Sequence, residues 1–453
     1  MKFALIFLLL AGSAWGQTSF GFLWEDQFDL AGRADEARAI AVSSTRAVAI
    51  GVGSTMNDGI DLLVRAYDTK TGTLAWRDQA PLSAGYITNV VIDELDDKVF
   101  GAGYAPDGSG ADILVRAYDA TTGNRMWEDV ANKGRDDFVQ AIAAGAHGVY
   151  VVGYGGNVGP APLDFLVRAY DKTSGALLWE DQVDNGGDDV AWRVATQGQM
   201  VFVAGSTSSS PSEPWNMILR VYDALSGKLA WESVYPNALP SALAVSNGSV
   251  YVGGSSFLVA CNSLTGELIW SKTLTDTILD LAVTESRLFA AGSLLRAYDE
   301  TGDLVWEVSP AEGESAQAID MSGDVILLAG TKSQPYPLES SEFLVRAYGA
   351  ESGNLLWEDL SHPSSSSVAF DVAVAGGQAF AVGWNTNLNG DTDFSIRAYS
   401  LPSPLSPEPT PPPEPPQPAP PPSEPTVAPG DRAARERIRE VKRALQEQSK
   451  RKM

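Results

Sequence analysis

The chain has 453 residues, 44% of them apolar, which is enough for one large domain or two to three ordinary ones. With 32 basic against 57 acidic residues the net charge is −25, a balance that repels nucleic acid and anionic membrane surfaces and leaves cations or a basic protein as electrostatic targets. One cysteine, Cys261, excludes an intrachain disulfide, and two histidines, His147 and His362, lie apart from any acidic or thiol cluster, which argues against a His-ligated metal and a histidine base.

Residues 1–16 read as an export signal. Lys2 supplies the positive charge, Phe3 to Ala11 is an apolar run too short to span a bilayer, and Ala14-Trp15-Gly16 precedes a cleavage point near Gln17. No cysteine follows to carry a lipid, and no later stretch approaches the ~20 apolar residues of a membrane-spanning helix. The expected location is periplasmic or secreted.

Residues 17–400 are dominated by an internal repeat. The string LVRAYDTKTGTLAW at 63–76 recurs at 114–127, 166–179, 219–231, 295–306 and 344–357, with a degraded copy, LVACNSLTGELIW, at 258–270 and a half-copy, IRAYS, ending at Ser400. Trp24, Trp76, Trp127, Trp179, Trp231, Trp270, Trp306 and Trp357 set the register, with spacings of 52, 51, 52, 52, 39, 36 and 51. Within a unit the hydrophobic period is two, and four short strands fit each ~50 residues, as in a propeller blade. Trp24 has no RAYD strand before it and Tyr399 has no Trp strand after it, so the N-terminal strand is expected to complete the last blade. The expectation is all-β: one eight-bladed propeller of four-stranded antiparallel blades.

Gly72, Gly123, Gly175, Gly227, Gly266, Gly302 and Gly353 close the turn before each Trp strand, where a positive φ is needed. The Asp that opens the turn caps its N–H groups, and Trp packs on the neighbouring blade. Arg65, Arg116, Arg168, Arg220, Arg296, Arg346 and Arg397 recur too regularly to form a single site and read as architecture, with ion pairs to the repeated Glu-Asp after Trp as one use. Cys261, in an apolar run, reads as a small buried hydrophobe.

Three features stand outside the repeat. Asn385, Asn387, Asn389, Asp391 and Asp393 alternate oxygen-bearing side chains around Gly390 and form a weak calcium candidate, because Ile396 stands where a bidentate Glu belongs. Asp35-Glu36, Asp136-Asp137, Asp184 and Asp188-Asp189 make either solvated loops or a carboxylate rim. Trp192, Trp215 and Trp384 are non-repeat aromatics of the kind a carbohydrate-binding face uses.

Residues 401–430 are an expected disordered spacer, with 15 prolines in the 29 residues from Leu401 to Pro429. Residues 431–453 carry nine basic and four acidic residues, net +5, with Ala434, Ile438, Val441 and Leu445 at helical spacing. A short basic amphipathic helix is expected there, one that touches an anionic surface or a partner.

The pattern Ala-x-Asp-x-x-(Thr/Ser)-Gly-x-x-x-Trp, carried with its Ala shifted by Ala66-Tyr67-Asp68 through Gly72 to Trp76 and by Ala117-Tyr118-Asp119 through Gly123 to Trp127, resembles the tryptophan-docking repeat of quinoprotein alcohol dehydrogenase-like (PQQ-like) propellers. The resemblance spans about residues 20–400 and implies the fold more than the function, since that family holds both dehydrogenases and assembly scaffolds. Its dehydrogenases use pyrroloquinoline quinone with calcium and often an adjacent-cysteine disulfide, which one cysteine cannot make. No residue matches their catalytic aspartate. The reading is a non-enzymatic exported propeller that binds or scaffolds a protein, as a monomer, with no cofactor expected. The alternatives are a quinone- and calcium-dependent dehydrogenase or a carbohydrate- or wall-binding module.

Overall fold

The structure is a computed structural model. It describes residues 20–402 except 57–58, 82–84, 107–109, 135, 157–161, 211, 334–339, 362–365 and 388, together with Glu436, Arg439, Glu440 and Arg443. The expected export signal lies outside the described residues, as do the linker and tail apart from Leu401, Pro402 and those four, which are exposed with helical backbone. No helix is among the described elements.

Thirty strands, numbered in chain order, form seven antiparallel sheets among the described residues. The pattern is set by β2 (Asp35–Val42), β3 (Arg46–Ser54), β4 (Ile60–Asp68) and β5 (Leu74–Pro81), which pair in that order. The third strand, IDLLVRAYD, is buried on both faces, which is why its apolar run is nearly continuous. A tight turn leads from it to the Trp strand: Asp68 Oδ1 accepts the N–H groups of Lys70 (3.1 Å) and Thr71 (2.9 Å), and Gly72 sits at φ 69°. Other four-stranded sheets begin with β6 (Tyr86–Asp93), β10 (Phe138–Ala144), β14 (Asp189–Gln197) and β24 (Glu314–Ser322). The last consists of β28 (Ser367–Ala375), β29 (Gln378–Thr386), β30 (Thr392–Ser400) and β1 (Gly21–Phe28). The N-terminal strand thus closes the ring, with Gly21 opposite Ser400 and Phe28 opposite Phe394.

The expected eight blades are corrected to seven. The two shortest units, at 231–270 and 270–306, fold into one six-stranded sheet that begins with β18 (Pro240–Ser246) and ends with β23 (Leu304–Val308). Between them, β19 (Ser249–Asn262) and β20 (Leu268–Val283) run unbroken from one ladder into the next. β20 pairs with β19 through Leu268–Thr277 and with β21 (Arg287–Gly292) through Ile278–Val283. The physical reason is loop length: units of 39 and 36 residues leave no chain for the loops that separate the sheets elsewhere. The two halves of this sheet share one apolar layer containing Tyr251, Trp270, Ile278 and Tyr298.

The first strand of each sheet, and the Ile278–Val283 part of β20, touch one another in succession, and β28 meets β2. These strands form the inner ring. Buried apolar layers lie between neighbouring sheets, so the core is a set of interfaces.

Two repeated devices hold those interfaces. In the first, Trp24, Trp76, Trp127, Trp179, Trp231, Trp270 and Trp306 each donate Nε1–H to a turn carbonyl one unit ahead, at 2.8–3.1 Å. Each indole covers the turn glycine so closely that a Cβ there would lie 2.5–2.7 Å from the ring, and every one of these glycines has φ between 67° and 84°. Contact and backbone both require glycine. Trp357 has no such turn to cover, because the chain is interrupted between β30 and β1. Phe20 stacks on it instead, with ring centroids 5.8 Å apart.

The second device is a clasp built from the Trp-Glu-Asp and Arg-Ala-Tyr strings. The Asp two residues after Trp accepts the hydroxyl of the buried Tyr in the next sheet: Tyr67 to Asp26, Tyr118 to Asp78, Tyr170 to Asp129, Tyr222 to Asp181 and Tyr399 to Asp359, at 2.7–2.9 Å. The Arg two residues before that Tyr reaches the same Asp, as Arg168 does at 3.2 Å, and also the Glu opposite it in its own sheet, as Arg116 does with Glu128 at 2.6 Å. Arg65 has Arg77 opposite it and instead lies 3.9 Å over the Phe28 ring.

The degraded copy loses all three partners together. Ser233 replaces the Asp, Val259 the Arg and Cys261 the Tyr, and Cys261 instead contacts the Tyr235 hydroxyl at 2.9 Å. A buried carboxylate or guanidinium without its partner costs more than the pair contributes, so concerted loss is the cheap route. At the next two interfaces the Asp position holds Lys272 and Val308, and Asp276 and Glu314 supply the carboxylates for Arg296 (2.9 Å) and Arg346 (2.6 Å). Ser233→Asp alone is expected to destabilise by about 1–3 kcal/mol. Adding Val259→Arg and Cys261→Tyr should recover most of that in urea unfolding; a triple variant no more stable than the single one would refute the clasp.

Candidate functional site

The seven acidic loop residues separate by burial. Asp35, Asp137 and Asp189 are fully buried at the entry to a first strand. Asp35 accepts Ser54 N–H (2.9 Å), Asp137 accepts Gly156 N–H (3.0 Å) and Asp189 accepts Asn185 N–H (2.6 Å). Burial lifts Asp35 to about 6 and raises Asp137. Glu36 and Asp188 are half-buried, and only Asp136 and Asp184 are exposed. Three of the seven are therefore internal braces of their loops, neither solvated nor part of a carboxylate rim.

The inner ring holds a carboxylate set that the sequence reading missed. Asp280 on β20 accepts Ile319 N–H of β24 at 2.8 Å, Asp320 on β24 accepts Val374 N–H of β28 at 2.8 Å, and Asp371 on β28 accepts Ile40 N–H of β2 at 2.9 Å. Each also takes the N–H of the next residue in its own strand, at 2.7–2.9 Å. Three consecutive inner contacts, including the ring-closing one, are stapled in this way. Burial raises Asp280 to about 6, Asp371 to about 7, and Asp320 in the same direction. Asp280 and Asp320 push Asp371 further up, while Arg193 on β14 pulls Asp280 down. Burial lowers Arg193 itself, which donates to Trp192 O at 2.9 Å. The available signal was one charge inside an apolar inner strand, as in Leu279-Asp280-Leu281 and Phe370-Asp371-Val372.

The calcium candidate is brought together as a self-bonded turn. Asn387 Oδ1 accepts Asn389 N–H (2.9 Å) and Asp391 N–H (3.1 Å), and its amide donates to Asp393 Oδ1 (2.9 Å). Asn385, almost fully buried, donates to Ser395 Oγ at 3.0 Å. Among the described residues no group of three or more His, Cys, Asp or Glu is placed to hold a metal ion.

Trp192, Trp215 and Trp384 are all half-buried, and Trp192 donates to Ser206 Oγ at 2.8 Å. Cys261 is buried and its thiol is pushed up by burial. His147 is exposed, and His362 lies outside the described residues.

The carboxylates give a signed pH dependence. Asp35, Asp280 and Asp371 hold protons in the fold that the unfolded chain, with carboxyls near 3.8, has released, so stability falls as pH rises from about 4 to 7. The turn residues Asp68, Asp119, Asp171 and Asp223 are held below 3.8 by Thr or Ser hydrogen bonds, so their contribution is lost as pH falls further. Thermal melts should therefore peak at about pH 4–5 and decline toward pH 8. Asp371→Asn should flatten the upper part of that decline; a midpoint that climbs steadily to pH 8 would contradict it.

A family profile described as outer membrane protein assembly factor BamB matches residues 22–162 and 216–389. Among solved structures, BamB from Moraxella catarrhalis is 14% identical with a TM-score of 0.54, covering 84% of this chain and 100% of that one. Quinohemoprotein alcohol dehydrogenase ADHIIG from Pseudomonas putida HK5 is 15% identical at 0.56, covering 91% and 80%. Chaetomium thermophilum Sqt1, bound to the N-terminus of the ribosomal protein L10, is 14% identical at 0.55, covering 82% and 98%. Likeness at this identity speaks for the fold alone. No curated protein matches the chain significantly. The profile covers well over half of the sequence, and the repeat, the docked tryptophans and the closed ring agree with it: the chain belongs to the PQQ-like β-propeller family described as outer membrane protein assembly factor BamB.

Proposed function

We propose that this protein is an exported, non-enzymatic propeller that binds or scaffolds a protein partner. The observation that carries the reading is where the repeated chemistry goes. Arg, Asp, Glu, Tyr and Trp, the residues best suited to ligand chemistry, are used between sheets, as in the Arg168–Asp129–Tyr170 clasp. What varies from unit to unit is the outer loops and turns, which suits recognition of a macromolecular surface. Family membership supports the reading, and the net charge of −25 favours a basic partner. Export to the periplasm or beyond is supported by Lys2, the run Phe3 to Ala11 and the small residues before Gln17. We place the propeller at 17–400, a proline-rich spacer at 401–430 and a basic helix at 431–453 that touches the partner or an anionic surface.

The quinone-dependent dehydrogenase is the competing enzyme class, and one titration separates the two. Pyrroloquinoline quinone in calcium, added to the mature protein, is expected to give no saturable quenching of tryptophan fluorescence. Saturable quenching at about micromolar concentration that disappears on chelating calcium would overturn the scaffold reading. Mass spectrometry of the exported protein should place its N-terminus at Gln17.

A further inference from the structure

The repeat supplies its own controls: a surface residue that departs from its equivalents in the other units is not explained by the architecture. The turn before the Trp strand shows such a departure. Two residues after the opening Asp or its equivalent stand Lys70, Thr121, Thr173 and Glu351 in four units, but Leu225 and Leu264 in two adjacent ones. Both leucines are strongly exposed, Leu225 at 65% and Leu264 at 72%. Neither contributes to a core, and a leucine in water gains nothing for folding.

The two turns adjoin. β17 (Leu229–Tyr235) follows directly from the turn of Leu225, and its Trp231 donates to Ser263 O at 3.1 Å and covers Gly266 in the turn of Leu264. Leu229 at the start of β17, and Leu268 and Ile269 at the start of β20, are exposed beside them. Exposed apolar side chains thus run across two neighbouring hairpins, at the one interface where the ionic clasp is absent. Exposed apolar side chains gathered on adjoining hairpins in this way are the kind of feature that marks an interaction site.

Charge and backbone select the occupant. Exposed Glu267 stands in the turn of Leu264, just before Leu268, and exposed Glu300 stands in the next turn, where its carbonyl accepts Trp270 Nε1–H at 3.0 Å; Glu232, also exposed, is shared with Arg220 at 3.2 Å, and Lys228 is the exposed ammonium of the Leu225 turn. β17, at the edge of its sheet, and the Leu268–Thr277 part of β20, paired only with β19, each carry a bulge just before their Trp, between the pairs Val221/Tyr222 and Ala260/Cys261 of their partner strands, which discourages addition of a further strand. We propose that the turns of Leu225 and Leu264, with Leu229, Leu268 and Ile269, form a docking surface for a basic amphipathic helix of a partner protein. Its apolar ridge lies on the leucines and its Lys or Arg residues meet the flanking glutamates. This deepens the protein-binding reading and rests on it.

The test uses the full mature chain and a labelled Leu/Lys amphipathic peptide of about five helical turns, with a Leu/Glu peptide of the same pattern as control, followed by fluorescence anisotropy at about 0.15 M salt. The Leu/Lys peptide should bind and the Leu/Glu peptide should not. Leu225→Ser with Leu264→Ser should weaken binding by about tenfold or more. Leu74→Ser with Leu355→Ser, at exposed positions in other sheets, should leave it unchanged. Equal weakening by both pairs, no effect of the first, or no binding at all would overturn the proposal. The wider protein-binding reading would then still stand or fall on the quinone titration. A dimer seen by light scattering and abolished by the Leu225/Leu264 pair would make a second copy the occupant, and would equally overturn it.

Discussion

Everything in this ring depends on how one sheet is fastened to the next. A four-stranded sheet of this size cannot bury both faces by itself, and each apolar layer is shared between two neighbours. Apolar contact alone tolerates sliding. The indole on glycine and the Tyr–Asp–Arg clasp do not, because each joins fixed atoms of consecutive sheets. The clasp buries an aromatic ring and satisfies its hydroxyl, while the arginine meets one carboxylate in each of two sheets. Taken singly, a buried guanidinium is a liability. In this geometry it specifies which sheet lies beside which.

The same logic explains where the pattern breaks. Ser233, Val259 and Cys261 sit at one interface, so the departure there is a consistent apolar solution rather than decay at random. That interface borders the six-stranded sheet, where short units leave no loop to separate two ladders. The seam between β30 and β1 is the other irregular point. Phe20 covers Trp357 there, and Asp371 staples β28 to β2 on the inner side. Where the covalent chain cannot hold the ring closed, the β1–β30 ladder and these side chains do.

For function, the consequence is a division between repeated and unrepeated residues. The repeated polar residues are internal fasteners, and even the buried loop aspartates Asp35, Asp137 and Asp189 brace backbone. On the proposed function, recognition is assigned to what the repeat does not dictate, the turns and outer edges. That division is the ground on which we propose a binding surface for a chain so rich in carboxylates and tryptophans.

The periodicity, the strand pattern, the glycines under the tryptophans and the ring-closing role of the N-terminal strand were legible in the sequence, since each follows from local spacing repeated many times. The ion pairs were legible only as residue types that recur together. Tertiary structure alone decided the rest. It merged two short units into one sheet, because hydrogen bonding between strands depends on whether a loop has room to turn them apart. It put Asp280, Asp320 and Asp371 on successive inner strands, residues spaced 40 and 51 apart that no local pattern connects. It turned the Asn385–Asp393 run into a turn that satisfies its own donors. Local spacing determines which element a residue joins; which neighbour its side chain meets is a property of the closed ring.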